Sequence, residues 1–326
     1  MKVSVILCTY NRCASLGKAL ESVAASRLPN SVDWEVLVVD NNSKDQTREV
    51  VQSFCDRYPR FRYVFEPQQG KSNALNRGIR EARGSVLAFT DDDVVVEPTW
   101  LQNLTSALDG SEWSATGGRV RPARSFEAPR WLPLEGPHNM GGILAMFDLG
   151  DEPKQLDRPP IGNNMAVRKE MFEKYGCYRV DLGPRPGSEI RDEDTEFGRR
   201  LLAAGERLRY EPFAVIYHDV PEKRVTKAYF LRYWFDTGRT MIRTMDRRPD
   251  VLGIPRLHLS LVKHAMVLFP VQIIKWLFNF SPRNRFYWKC WVWLVAGEVL
   301  ELYHRVFAAS SQEQDSSPRI ETARGA

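Results

Sequence analysis

Three consecutive aspartates, Asp91, Asp92 and Asp93, follow Thr90 at the end of the apolar stretch Ser85-Val86-Leu87-Ala88-Phe89. Bare carboxylates this close repel one another, and a hard divalent cation such as Mg²⁺ or Mn²⁺ relieves the repulsion. Because such an ion keeps positions open for phosphate oxygens, the run points to a clamp for a nucleotide diphosphate. A solvated acidic turn is the competing reading of the run taken alone.

The surrounding pattern supplies a rim for that clamp. Residues 3–8 and 34–39 are short apolar runs rich in β-branched side chains, which reads as buried parallel strands. Each leads into a polar turn, Thr9-Tyr10-Asn11-Arg12 and Asp40-Asn41-Asn42-Ser43, and after the first Leu16, Ala19, Leu20 and Val23 share a helical face. Strand, turn and helix alternate, so an open α/β sheet flanked by helices is expected. Ligands of such sheets bind beyond the carboxyl ends of the strands, which puts Thr9, Asp40 and Asp91 on one rim.

Six segments, in order, resemble the inverting glycosyltransferases of family 2: residues 3–12 (VSVILCTYNR), 38–47 (VVDNNSKDQT), 70–78 (GKSNALNRG), 89–98 (FTDDDVVVEP), 161–169 (IGNNMAVRK) and 193–201 (EDTEFGRRL). The resemblance implies the GT-A fold of nucleotide-diphospho-sugar transferases, an open mixed sheet over residues 1–220. Residues 1–100 would form the donor-binding half and 101–220 the acceptor and catalytic half.

Carried over by position, the resemblance implies that Thr9 and Asp40 flank the nucleobase, with Asn11, Arg12, Asn76 and Asp92 among the nucleotide-sugar contacts. Lys71 faces the diphosphate, Asp91 lies near the ribose, and Asn164 bonds hydroxyls of the donor sugar. Asp93 ligates the Mn²⁺ or Mg²⁺, with Asp91 and His218 as further candidate ligands. Charge grows on the departing nucleoside diphosphate, and a metal with a lysine stabilises it. Inversion requires a carboxylate on the opposite face to accept the acceptor's proton, a part that falls to Asp194 with Glu193 as the alternative. Each residue has a plainer reading: Asp40 as an Asx-turn, residues 192–194 as acids at a helix start, His218 as a structural histidine.

Other nucleotide motifs are absent. The segment Gly70-Lys71-Ser72 lacks the P-loop's earlier glycine, since Phe65 stands there, and no Gly-x-Gly-x-x-Gly follows the first strand. The arginine-rich start of sugar nucleotidyltransferases is missing, and so is the Gln-x-x-Arg-Trp run of processive synthases, which favours single-sugar addition.

With 326 residues, 43% hydrophobic and 27% charged, the chain can bury a sizeable core. Five cysteines without a Cys-x-x-Cys pair argue against a disulfide framework or zinc site and for a reducing compartment. The apolar run at residues 3–8 is too short for a signal peptide, so a cytoplasmic catalytic domain is expected. The net charge of +5 comes without a nucleic-acid module; acidic donors or anionic lipid are the expected partners.

Residues 221–309 read as a helical, membrane-associating appendage. Apolar residues at 257–280 and 286–307 occupy all sides of two helices, yet charges interrupt both runs, and neither reaches about 18 uninterrupted apolar residues. A hairpin in the cytoplasmic leaflet is expected, against the alternative of a soluble helical pair. Residues 310–326 read as a disordered tail.

The expected function is metal-dependent, inverting transfer of one sugar from a nucleotide diphosphate, UDP favoured, to a hydroxyl acceptor such as a lipid-linked glycan, in cell-envelope or exopolysaccharide synthesis. Transfer onto polyprenyl phosphate is the enzymatic alternative, and a sugar-nucleotide-binding or membrane scaffold protein the non-enzymatic one.

Overall fold

The computed structural model describes residues 2–124, 127–186, 190–245 and 256–315. Residues 316–326 of the expected tail lie outside the described residues, and residues 310–315 continue the last helix instead of being disordered. The chain divides into two compact units between Thr226 and Lys227.

The first unit is a mixed nine-stranded sheet: β1 (Lys2–Thr9), β2 (Asp33–Asp40), β3 (Phe61–Phe65), β4 (Val86–Asp91), β5 (Val94–Val96), β6 (Ala115–Pro122), β7 (Lys154–Leu156), β8 (Asn164–Arg168) and β9 (Leu208–His218). Its order is β3-β2-β1-β4-β8-β6-β9-β5, with β7 paired to β9. The first four strands in that order are parallel, and β8 enters antiparallel between β4 and β6. The β-branched runs fill this centre: Val3, Val5, Val36, Val38 and Leu87 are buried on strands covered on both faces.

Helices α1 (Cys13–Ala24), α2 (Thr47–Arg57), α3 (Lys71–Glu81), α4 (Trp100–Ser106), α5 (Lys169–Tyr175) and α6 (Glu193–Ala203) flank the sheet. The face expected for α1, Leu16, Ala19, Leu20 and Val23, is its buried face. Between α5 and α6, Phe172 stacks on Phe197 at 4.4 Å and meets Tyr178 at 5.4 Å. Aromatic packing of this kind anchors the start of α6, where Glu193 and Asp194 stand.

The second unit is helical, with α7 (Lys227–Thr244), α8 (Arg256–Lys263), α9 (Phe269–Leu277) and α10 (Pro282–Asp315). A π-turn, His264–Leu268, joins α8 to α9. Helices α7 and α10 approach backbone to backbone where Gly238 faces Leu294 and Gly297 faces Phe235. Glu301 lies buried in this interface and bonds Arg243 at 2.8 Å and Arg239 at 3.2 Å.

Candidate active site

Register alone assembles the rim. Thr9 is the cross-strand partner of Asp40, and Cys8 is the partner of Asp91, so the turns after β1, β2 and β4 open side by side. The Thr9 hydroxyl donates to Asp92 at 2.7 Å. The Nη1 of Arg12 donates to Asp93 at 3.0 Å and lies 3.7 Å from Asp92. The Nζ of Lys71 donates to Asp91 at 2.9 Å. Gly70 makes that last contact possible, because its φ of +130° turns the chain into α3 in a conformation that side chains rarely adopt. The acidic run is therefore not bare: each aspartate has its own donor in the protein, which offsets part of the expected repulsion.

Pairing of β5 with β9 adds a second layer, because Val94 is the partner of His218 and Asp93 directly precedes Val94. His218 Nε2 lies 3.6 Å from Asp93 Oδ1 and 3.1 Å from Arg224 Nη1, and Arg224 Nη2 is 3.6 Å from Asp93. Burial opposes ionisation of Asp93, but its neighbours His218, Arg12 and Arg224 hold its carboxyl well below the usual range. For Asp92 burial prevails over Arg12 and Thr9, and its pKa rises to about 6. Among the described residues no group of three His, Cys, Asp or Glu side chains converges tightly enough to hold an ion unaided.

Across from this cluster, α6 begins at Glu193 after Asp192, which adopts a left-handed φ of 71°. Glu193 is buried, and its Oε1 lies 3.8 Å from Lys71 Nζ. Burial pushes its pKa up to about 7 against the pull of Lys71, with Asp194 adding to the rise. Asp194 is half-buried; its Oδ2 accepts the backbone N–H of Gly162 at 2.6 Å and its Oδ1 that of Thr195 at 2.7 Å. Only glycine permits this approach of the 161–164 loop, since a Cβ at Gly162 would lie 2.5 Å from Asp194 Oδ2.

Residues 4–176 match the family model for Glycosyl transferase family 2. The chain belongs to this family. It is 28% identical over 250 residues to the succinoglycan biosynthesis protein ExoM of Rhizobium meliloti, covering 76% of each chain. It is also 28% identical over 229 residues to the glucosyl-dolichyl phosphate glucuronosyltransferase of Haloferax volcanii, covering 69% of this chain and 71% of the other. The mannosyltransferase PcManGT from Pyrobaculum calidifontis, solved with GDP-Man and Mn²⁺, superposes with a TM-score of 0.60 over 93% of this chain and 87% of its own, at 21% identity. That likeness establishes the shared GT-A fold. The protein is thus a family 2 glycosyltransferase, with relatives named for succinoglycan biosynthesis and for glucuronosyl transfer to glucosyl-dolichyl phosphate.

Several residues expected at the site of this glycosyltransferase hold the scaffold together. Asn164 is fully buried in β8; its Oδ1 accepts from Trp100 Nε1 at 2.7 Å and its Nδ2 donates to the carbonyls of Arg119 and Ala214 at 2.9 Å each. That leaves Asn164 no amide group for a donor sugar. Asn76 likewise gives both ends of its amide to the backbone of Tyr178, at 2.8 and 3.0 Å. Asp40 accepts from Ser43 N and Tyr63 Oη at 2.9 Å each, so the Asx-turn is real, at the rim. Asn11 ties the first loop to the second by accepting Lys44 N at 2.7 Å and donating its own N–H to Ser43 Oγ at 2.9 Å. Two residues go beyond the sequence reading. Arg224 reaches Asp93 only through the β5–β9 pairing, which no local pattern signals. Asn163, in the turn just before β8, is buried with an unpartnered Oδ1, and its only trace in the sequence is the Asn-Asn repeat.

Proposed function

We propose that this glycosyltransferase moves one sugar, with inversion, from a nucleoside diphosphate donor to a hydroxyl acceptor at the cytoplasmic face of a membrane, in exopolysaccharide or cell-envelope synthesis. A UDP-sugar is the favoured donor. The observation that carries this reading is Lys71, whose Nζ stands between Asp91 on the donor rim and Glu193 of the Glu-Asp pair. One lysine thereby ties the two carboxylate groups into a single cleft within the first unit. Residues 1–100 act as the donor half and 101–220 as the acceptor half.

On this reading Thr9, Asn11, Arg12 and Asp40 form the wall against the nucleoside, while Lys71 and Arg224 face the diphosphate. A divalent ion fits the remaining groups. Asp93 Oδ1 and His218 Nε2 are 3.6 Å apart, and His218 Nδ1 is buried without a partner; Asp91 lies two residues ahead of Asp93, at the end of β4. One or two protein oxygens with phosphate oxygens and water would suit Mg²⁺ or Mn²⁺, and an added imidazole would favour Mn²⁺. When bound, the ion offsets negative charge on the leaving diphosphate.

Asp194 serves as the general base. Its half-buried carboxylate is held by Gly162 N and Thr195 N, which orient it without neutralising it, and it can accept the acceptor hydroxyl's proton as the oxygen attacks. Glu193 is sealed beside Lys71 and positions that lysine. A relative named for glucosyl-dolichyl phosphate supports a lipid-linked acceptor. Transfer to polyprenyl phosphate would leave Asp194 idle, because a phosphate oxygen carries no proton to remove.

A thermal-shift series with UDP, GDP and dTDP, each with and without Mn²⁺, tests the donor reading. One nucleotide should raise the melting temperature more with Mn²⁺ than without. No response to any nucleotide would overturn it.

A further inference from the structure

Between Arg256 and Gly297 the chain has six Lys or Arg residues and no Asp or Glu. Within that stretch, α8, the π-turn and α9 form the one helix among the described residues, Leu257–Leu277, that is long and apolar enough to cross a membrane. Its apolar side chains are not equivalent. Leu259, Val262, Met266, Ile274, Leu277 and Phe278 recur at helical spacing and are all exposed, Met266 and Phe278 at 72%. The opposite side faces α10, where His264 Nε2 lies 3.7 Å from Glu298. An apolar stripe about 30 Å long, on one side of a helix of this length, needs a partner other than water.

The rim of the stripe identifies that partner. Lys275 Nζ sits 4.5 Å over the Trp288 ring, and Lys289 Nζ sits 5.6 Å over Trp276, so two cation–aromatic pairs cross between α9 and α10. Arg283 and Arg285 follow in the same turn of chain. Tryptophans and basic side chains bordering an apolar face suit the headgroup level of an anionic bilayer.

We infer that α8–α9 lies in the plane of an anionic membrane, its outward stripe sunk among acyl chains and its basic rim on phosphate headgroups, while α10 stays out of the lipid. The second half separates this arrangement from a hairpin with both arms in the leaflet. Phe286, Cys290, Leu294, Val295, Leu302 and Val306 of α10 are buried, and its Glu301 is neutralised by Arg239 and Arg243 of α7. A helix so engaged is the core of a folded bundle. A spanning α8–α9 would have to break its pairing with α10.

Flotation of the full chain with vesicles tests this. Binding is expected to vesicles of phosphatidylcholine with phosphatidylglycerol and to fall by about fivefold for each basic residue removed in Lys275→Ser and Arg285→Ser. The triple variant Met266→Glu, Ile274→Glu, Phe278→Glu changes only exposed side chains, so nucleotide binding and the melting temperature should persist while flotation is lost. Flotation unchanged in the triple variant would overturn the proposal, as would no flotation with either lipid. Conversion of a dimeric wild type to a monomer by the triple variant, without vesicle binding, would assign the stripe to a second copy of the chain instead. A double Trp293→Ser, Tyr303→Ser variant, which changes exposed aromatic side chains of α10 outside that rim, should float as wild type does; loss of flotation with its fold intact would put α10 in the lipid and contradict the in-plane arrangement.

Discussion

Lys71 Nζ lies 3.8 Å from Glu193 Oε1, and through it the start of α3 and the start of α6 share one charge network with Asp91. Removing the lysine leaves a buried glutamate beside an aspartate with no cation between them. The Lys71→Met variant is therefore expected to bind nucleoside diphosphate at least tenfold more weakly, roughly the 1.5–3 kcal/mol of a hydrogen bond to a charged group. Equilibrium titration with UDP measures it, and an unchanged affinity would remove Lys71 from the diphosphate site.

Glu193 carries a sign that stability measurements can read. Its pKa in the fold, about 7, exceeds the ordinary 4.5, so between these values the folded chain keeps a proton the unfolded chain has lost. Stability from this group is complete below the lower value and is lost as pH rises through the upper one. Glu193→Gln should flatten that decline and gain up to about 3 kcal/mol over wild type above the window. Urea unfolding at a series of pH values decides; parallel curves for the two proteins would contradict the shift.

The rim was legible because it depends on strand ends. Continuous apolar runs locate β1, β2 and β4, and parallel register then brings Thr9, Asp40 and Asp91 together without further information. Asn164 and Asn76 misled because an amide beside a motif looks the same whether it faces a ligand or the interior. Only the packing of β8 between β4 and β6, and of Tyr178 on α3, consumes their donors and acceptors. Arg224 was invisible for the converse reason, since its partner Asp93 is distant in sequence and meets it through a strand pairing. The C-terminal runs looked alike by composition, yet α7 covers one of them and not the other.

Asn164→Leu should therefore fail as a fold and not as a binding site. It strands the Trp100 indole N–H and two carbonyls in the interior, a cost of about 3 kcal/mol or more. Denaturant unfolding should show the loss, while the KM for donor in the folded fraction stays within about threefold, less than one hydrogen bond's worth.

Asp93→Asn should abolish the strengthening of nucleotide binding by Mn²⁺, measured by calorimetry with and without the ion, because the amide is a poor ligand for a hard cation. Stability should also fall, since Arg12 and Arg224 lose an ionised partner. The contribution of Asp93 is present above its ordinary value of 3.8 and disappears as pH falls below it, so wild type and variant should converge in acid. Undiminished Mn²⁺ dependence in the variant would take Asp93 out of the metal site.

The most direct test of the account is the turnover of Asp194→Asn beside its donor affinity. General-base assistance typically contributes about 10²–10⁴-fold, and an asparagine oxygen can keep one of the two bonds that Gly162 N and Thr195 N donate to Asp194. The expected result is a kcat lower by about that factor, with the Kd for donor nucleotide nearly unchanged. A kcat within a few-fold of wild type would contradict the assignment of Asp194 as base and the hydroxyl-acceptor chemistry that rests on it.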